Sequence, residues 1–314
     1  LLASTDAPWL HGVLARGIPT GPAPESLASS AAFLGLHERT GGAAAAAWAY
    51  VNLALLRERL AGEEGWLPGP FDEVLGLRAW RAAAYGLSFD RDRVVERVAL
   101  DAPRAGGLLG LLAQGPGPPV GLDLAPRSTL FHAELGFEVA PALERALAML
   151  DALDADEGAD LRRFLAGLRG ASGADLETEV LARFTGREAL WLTPPPTGGL
   201  VPEIAFVARV REPAAFEAAL ERVLTELLER WSASGELLAT ARVLPASGAR
   251  LHVIDLDRPA GDGLAPFTPT WAVVGDRLLV TLVPHAMREV LARARAGEPA
   301  LRDAPEASGL LGGV

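Results

Sequence analysis

The stretch from residue 265 to 293, APFTPTWAVVGDRLLVTLVPHAMREVLAR, constrains this chain more than any other. Trp271 to Val274 and Leu278 to Leu282 are rich in aromatic, β-branched and leucine side chains, and Gly275-Asp276 between them suits a tight primed hairpin turn. Pro284 closes the second strand and pre-sets φ for a first helical turn, after which Met287, Val290, Leu291 and Ala294 recur at helical spacing. The spacing predicts strand, turn, strand, helix. Such a ribbon buries its apolar side chains only by stacking the helix on the sheet.

The same device recurs along the chain. AWAYVNL (Ala47 to Leu53) predicts a strand running into a helix from Ala54 to Leu60, and Ala79 to Ala102 predicts a long hairpin turning at Asp90-Arg91-Asp92, with a bulge at Gly86 where the alternation slips. Phe71 to Leu77 predicts a short helix. TLFHAELGF predicts a strand leading into a helix with Leu143, Leu147 and Leu150 on one face, and a second helix follows from Asp160. Asp175 is placed to cap LETEVLARF before the strand REALWLT. IAFVARV, from Ile204, alternates cleanly; Pro213 then opens the longest helix, with Phe216, Leu220, Val223, Leu227 and Trp231 as its apolar stripe. RLHVIDL adds a strand at 250 to 256. Together these predict an α+β fold: antiparallel or mixed sheets built from hairpins, each followed by a helix, with the helices layered on one face. By composition, 1–115 forms a first subdomain, the Gly/Pro-rich 116–126 a linker, 127–297 a second subdomain and 298–314 the start of a further unit. The glycines of the linker do not make a phosphate loop, because Pro116, Pro118 and Pro119 have no N–H to offer an anion.

An internal repeat is expected. Leu1, Leu2, Ser4, Leu10 and Val13 to Arg16 align, at a single offset, with Leu278, Leu279, Thr281, Met287 and Val290 to Arg293, and SLASSAAFLGL from Ser26 resembles ALRDAPEASGL from Ala300. On this expectation the chain begins late in one copy and ends early in the next, which agrees with the missing initiator Met.

With 314 residues, half of them hydrophobic, the chain can bury one large core or two ordinary ones and is not a disordered segment. A net charge of −11 argues against a nucleic-acid or anionic-membrane partner, which needs clustered basic residues. Cysteine is absent, removing disulfides, thiolate nucleophiles and Cys-based metal sites. All 29 basic residues are Arg, so no lysine can serve as Schiff base or P-loop cation. No stretch reaches the ~18 apolar residues of a membrane span.

The segments GADLETEVLARFTGREALWLTP (Gly173 to Pro194), PEIAFVARVREPAAFEAALERVL, RLHVIDL and WAVVGDRLLVTLVPHAMREVLA, with a SLASSAAF-type segment leading to WAYVNLALL, resemble an uncharacterised bacterial domain-of-unknown-function family. In that family a Gly-x-Asp-Leu-x-x-Asp-Leu-Leu segment precedes a strand; Glu179, Val180 and Leu181 stand here where the family has Asp-Leu-Leu. The resemblance covers most of the chain. It implies an exported protein, periplasmic or extracellular, with an anchor outside these residues also allowed. It transfers no functional residues.

Candidate chemistry is sparse. The five histidines, His11, His37, His132, His252 and His285, form no HExxH, HxH or helical pair. The best constellation is His132 with Glu134, two apart on one strand; His252 and Asp255 from a neighbouring strand would complete a metal or acid-base site. Asp151, Asp154, Asp156, Glu157 and Asp160 lack the spacing and glycine of an EF-hand loop. No Gly-x-Ser-x-Gly elbow occurs. Seven Trp and many one-sided leucines could line a groove between helices and sheet, open to a protein or hydrophobic ligand. No residue is therefore assigned a catalytic, cofactor or metal role. The expected function is a non-enzymatic extracytoplasmic binding or scaffold protein acting through its helix layer and sheet edges. The alternatives are a lipid or hydrophobic-ligand carrier, and a hydrolase with sequence-distant catalytic residues.

Overall fold

A computed structural model describes residues 27–60, 76–90, 93–103, 107, 109–112, 118–195, 202–234, 238–246, 248–257, 267–296 and 299–304. They fall into two compact units, 1–106 and 107–314. The N-terminal copy of the expected repeat, residues 1–26, and nearly all of the expected helix at 71–77 lie outside the described residues.

The first unit comprises α1 (Ala31–Arg39), β1 (Ala47–Asn52), α2 (Leu53–Leu60), β2 (Ala82–Asp90) and β3 (Arg93–Asp101), the strands forming an antiparallel sheet in the order β1-β2-β3. Helix α1 begins where the Ser30 hydroxyl accepts a bond from the Phe33 amide. Its Leu36 packs on Ala82 and Ala84, flanked by Trp48, Tyr50 and Ala99, so here the helix does lie on one face. The expected bulge at Gly86 is absent: pairing runs unbroken through Trp48, Gly86 and Arg97. The glycine serves close approach instead. A Cβ on it would stand 1.8 Å from the Thr40 carbonyl oxygen, and buried Thr40 in turn accepts from the Trp48 indole N–H at 2.6 Å.

In the second unit a short helix, α3 (Leu109–Leu112), precedes β4 (Phe131–Leu135), α4 (Val139–Leu153), α5 (Ala155–Ser172), β5 (Phe184–Thr193) and β6 (Glu203–Val210). Then come α6 (Pro213–Ser234), β7 (Leu238–Ala246), β8 (Ala249–Asp257), β9 (Thr270–Val274), β10 (Arg277–Thr281) and α7 (Pro284–Ala296). The strands make one antiparallel seven-stranded sheet in the order β4-β5-β6-β10-β9-β8-β7. Helix α6 thus carries the chain from β6 in the middle to β7 at the far edge, and three hairpin steps bring it back. The protein is α+β, with antiparallel sheets.

The helices of this unit do not share one face. Phe216, Ala219 and Val223 of α6, with Leu168 of α5, pack on Val210, Trp271 and Leu278; Met287, Val290 and Leu291 of α7 pack on Val207, Ala272 and Leu279. Neighbours Leu278 and Leu279 face opposite cores. That is why β10 reads as a continuous apolar run rather than an alternation: both faces are covered.

The expected linker is core. Val120, Leu124 and Ala125 are buried with α7's residues under the sheet. The segment is held by the Asp123–Arg277 ion pair (2.7 Å), by Arg293 on the Leu124 carbonyl (2.9 Å), and by Leu301 N–H on the Ala125 carbonyl (2.7 Å). Pro118 and Pro119 precede the plug and Pro126 follows it. The described part of 298–314 belongs to the same unit, through the Pro126–Ala300 bridge.

Local signals were kept with shifts. Asp154 caps α5, accepting from the Asp156 and Glu157 amides, so the helix starts five residues before Asp160. Asp175 accepts from the Glu177 and Thr178 amides, but the turn it caps is a single π turn at Leu176–Val180. The strand is already under way at Gly186, whose φ of 73° sits in a register shift between Phe184 and Glu188.

Candidate functional site

The predicted pair on β4 is real. His132 Nε2 and Glu134 Oε1 lie 3.4 Å apart on one face of the strand. Yet the Glu134 carboxylate is engaged elsewhere: its two oxygens accept the amides of Val120 and Gly121, each at 3.0 Å. Glu134 anchors the buried plug to the sheet edge. Burial pushes the His132 imidazole below its ordinary pKa, with Glu134 opposing the shift.

His252 does not join them. Residues paired across strands share a face. The ladder from His132 runs through Trp191, Ala205, Thr281 and Thr270 to Val253, whereas His252 belongs to the ladder of Trp271, Val280, Phe206, Leu190 and Ala133. The two histidines therefore occupy opposite faces, with β5, β6, β10 and β9 between their strands. Asp255 shares His252's strand, as expected, and pairs with Arg242.

The His132 Nε2 is buried without a hydrogen-bond partner, whereas the other described histidines are each held by a carboxylate or a ring. His252 bonds Glu217 at 2.9 Å, His285 bonds Glu203, and His37 stacks on Phe33. His11 lies outside the described residues. In the acidic run, Asp151 pairs with Arg162, Asp160 with Arg163, and Asp154 caps α5. Among the described residues no three His, Asp or Glu are grouped so as to hold a metal ion. No described helix is long and apolar enough to cross a membrane.

One carboxyl escaped the sequence. Glu188 on β5 is 3% exposed, set between Leu135 and Ala208 of the adjoining strands. Burial raises its pKa from an ordinary 4.5 to about 7; the Phe137 backbone N–H and Arg187 pull the other way, but neither carboxyl oxygen sits in a well-formed hydrogen bond.

A concave feature of this unit lies between α6 and the sheet edge made by β7 and β8. It is a half-open groove of about 360 Å³. Leu224, Thr225 and Leu228 of α6 form one wall; Ala241, Val243, His252, Ile254 and Trp271 form the floor; Glu221 and Glu229 stand at the rim. The His252 ring lies flat on the Trp271 indole, which keeps both rings in the floor. Volume and lining match those of small-ligand and peptide sites. Strand β7, which carries Ala241 and Val243 of this floor, has a weak sequence signature: LATARVLPA lacks β-branched runs and contains a proline.

No protein family, no curated protein and no solved structure matches this chain.

Proposed function

We propose that the protein is a non-enzymatic extracytoplasmic binding module whose ligand lies in the groove between α6 and the β7–β8 edge. The observation that carries this is the groove: about 360 Å³, half-open, with Leu224 and Leu228 on its wall, Ala241, Val243 and Ile254 on its floor, and Glu221 and Glu229 at its rim. Beneath the floor the stacked, buried rings of Trp271 and His252 hold it rigid, so that binding orders little of the protein itself. The extracytoplasmic address is the expectation drawn from the sequence of 173–194 and the segments after it. Fractionation of cells producing the full-length gene product, with the chain found inside the cytoplasm, would remove the address and leave the groove.

A hydrophobic-ligand carrier is the second reading, favoured by the apolar lining. Both use the same cavity, so one experiment tests their common ground. Nile red, a neutral apolar fluorophore, should bind the protein with enhanced emission, and Thr225→Trp, which fills the groove from α6, should abolish that binding. Emission equal in the two proteins would place no ligand in the groove.

A further inference from the structure

The groove has a backbone wall as well as side-chain walls, and the backbone wall is an open sheet edge. Strand β7 pairs with β8 from Leu238↔Asp257 to Ala246↔Ala249 without a register shift, and it is the terminal strand of the sheet. In an antiparallel pair, residues alternate between turning N–H and C=O toward the partner strand and away from it. Ala239 fixes the phase. Its N–H donates to the Ser232 hydroxyl (3.1 Å) and its C=O accepts from that same hydroxyl (3.2 Å), so residue 239 turns away from β8. Residues 241, 243 and 245 do likewise. Pro245 fits this phase, since its missing N–H would have pointed outward.

Between the Ser232 clasp and Pro245, the edge offers the N–H and C=O of Ala241 and Val243 and the C=O of Pro245. Among the described residues none of these groups has a hydrogen-bond partner. Ala241 is paired with Ile254 and Val243 with His252, so their side chains continue the groove floor outward. A strand laid beside β7, about 5 Å away, would set alternate side chains on that same face, opposite Leu224 and Leu228 of α6. The rim charge there is acidic. Glu221 is taken by Arg250, whereas Glu229 has no described ion-pair partner; Arg242 is held by Asp255.

We propose that the ligand is an extended peptide segment of a partner protein. It adds to β7 as a further strand, with alternate apolar side chains in the groove and a basic side chain on Glu229. An acyl chain in the same place would leave the outward backbone groups of Ala241 and Val243 desolvated and unpaired, whereas a peptide backbone satisfies them. The inference rests on the groove being the binding site.

Fluorescence anisotropy with the whole chain and a labelled peptide of about eight residues, in which threonine alternates with valine and one valine is replaced by arginine so that apolar and basic side chains share a face, tests it. Binding is expected. It should weaken by roughly tenfold or more for the peptide N-methylated on the alternate residues that face Ala241 and Val243. Glu229→Arg should weaken this peptide and strengthen its counterpart with glutamate in place of the arginine. Affinity indifferent to N-methylation and to Glu229→Arg overturns strand addition. Nile red bound with no peptide bound makes the occupant a small apolar ligand and also overturns it. If neither probe binds, the groove itself is not a site, and the broader proposal falls with this one.

Discussion

The His252 imidazole lies parallel to the Trp271 indole, ring centroids 3.7 Å apart and planes 6° from coplanar, while His252 Nε2 meets Glu217 of α6 at 2.9 Å. One contact belongs to the sheet and the other to the helix, so the imidazole couples β8, β9 and α6. Trp271→Ala should destabilise the second unit by about 3–5 kcal/mol, the usual cost of deleting a buried indole. His252→Phe keeps a flat ring on Trp271 and should cost less. Urea unfolding followed by circular dichroism ranks the two; equal losses would mean that the stack adds nothing beyond the hydrogen bond.

Glu188 gives stability a pH dependence of unusual sign. Its folded-state pKa, about 7, is above the 4.5 of an ordinary carboxyl, so between these values the native state holds a proton that the unfolded chain has released. Stability from this group is present below pH 4.5 and is lost as pH rises through 7. Glu188→Gln removes that loss and should stabilise the protein at pH 8 by ~3 kcal/mol, with little change at pH 4. His132 acts oppositely: its lowered pKa makes stability fall as pH drops below the ordinary 6.5. In the Glu188→Gln protein, stability should therefore rise with pH in that acidic window. Denaturation midpoints at several pH values check both signs.

Glu134 is expected to matter through its two amide bonds rather than through His132. Glu134→Ala leaves the Val120 and Gly121 N–H groups without acceptors and should cost about 2 kcal/mol. Hydrogen exchange at those two amides should accelerate more than exchange elsewhere in the sheet. His132→Ala, by contrast, should leave their protection close to wild type.

In the first unit, Gly86→Ala should detach α1 from its sheet. The added carbon would overlap the Thr40 carbonyl, and the obstacle is backbone, so the helix end must move. A loss of roughly 3 kcal/mol, the upper end of overpacking costs, is expected. Thr40→Val, which removes the acceptor of the Trp48 indole N–H, should cost less; thermal unfolding of both variants gives the order.

The elements that were legible in the sequence are those whose cause is local. The Gly275-Asp276 hairpin, the Pro213 helix and the juxtaposition of His132 with Glu134 each follow from turn chemistry or from a period of two or 3.6 residues. What stayed hidden depends on contacts between distant residues. The prolines at 116, 118 and 119 masked the plug behind them, although Val120, Leu122 and Leu124 are apolar. Gly86 looked like a bulge because the reason for its missing side chain is a carbonyl in another element. His252 reaches Glu217 across 35 residues, and β7 has the composition of a loop with the position of an edge strand. Two-sided burial of the large sheet was equally illegible, since a continuous apolar run in a strand does not say which helix covers which side.

The buried segment at 120–125 has a consequence for how the second unit is made. Leu122 and Ala125 accept hydrogen bonds from the amides of Arg302 and Leu301, and Asp123 is paired with Arg277. A ribosome delivers the acceptors long before their donors. Until residue 302 leaves the exit tunnel, the apolar side of Val120, Leu124 and Ala125 has no permanent cover, and this half of the molecule closes late, in one step that joins its beginning to its end.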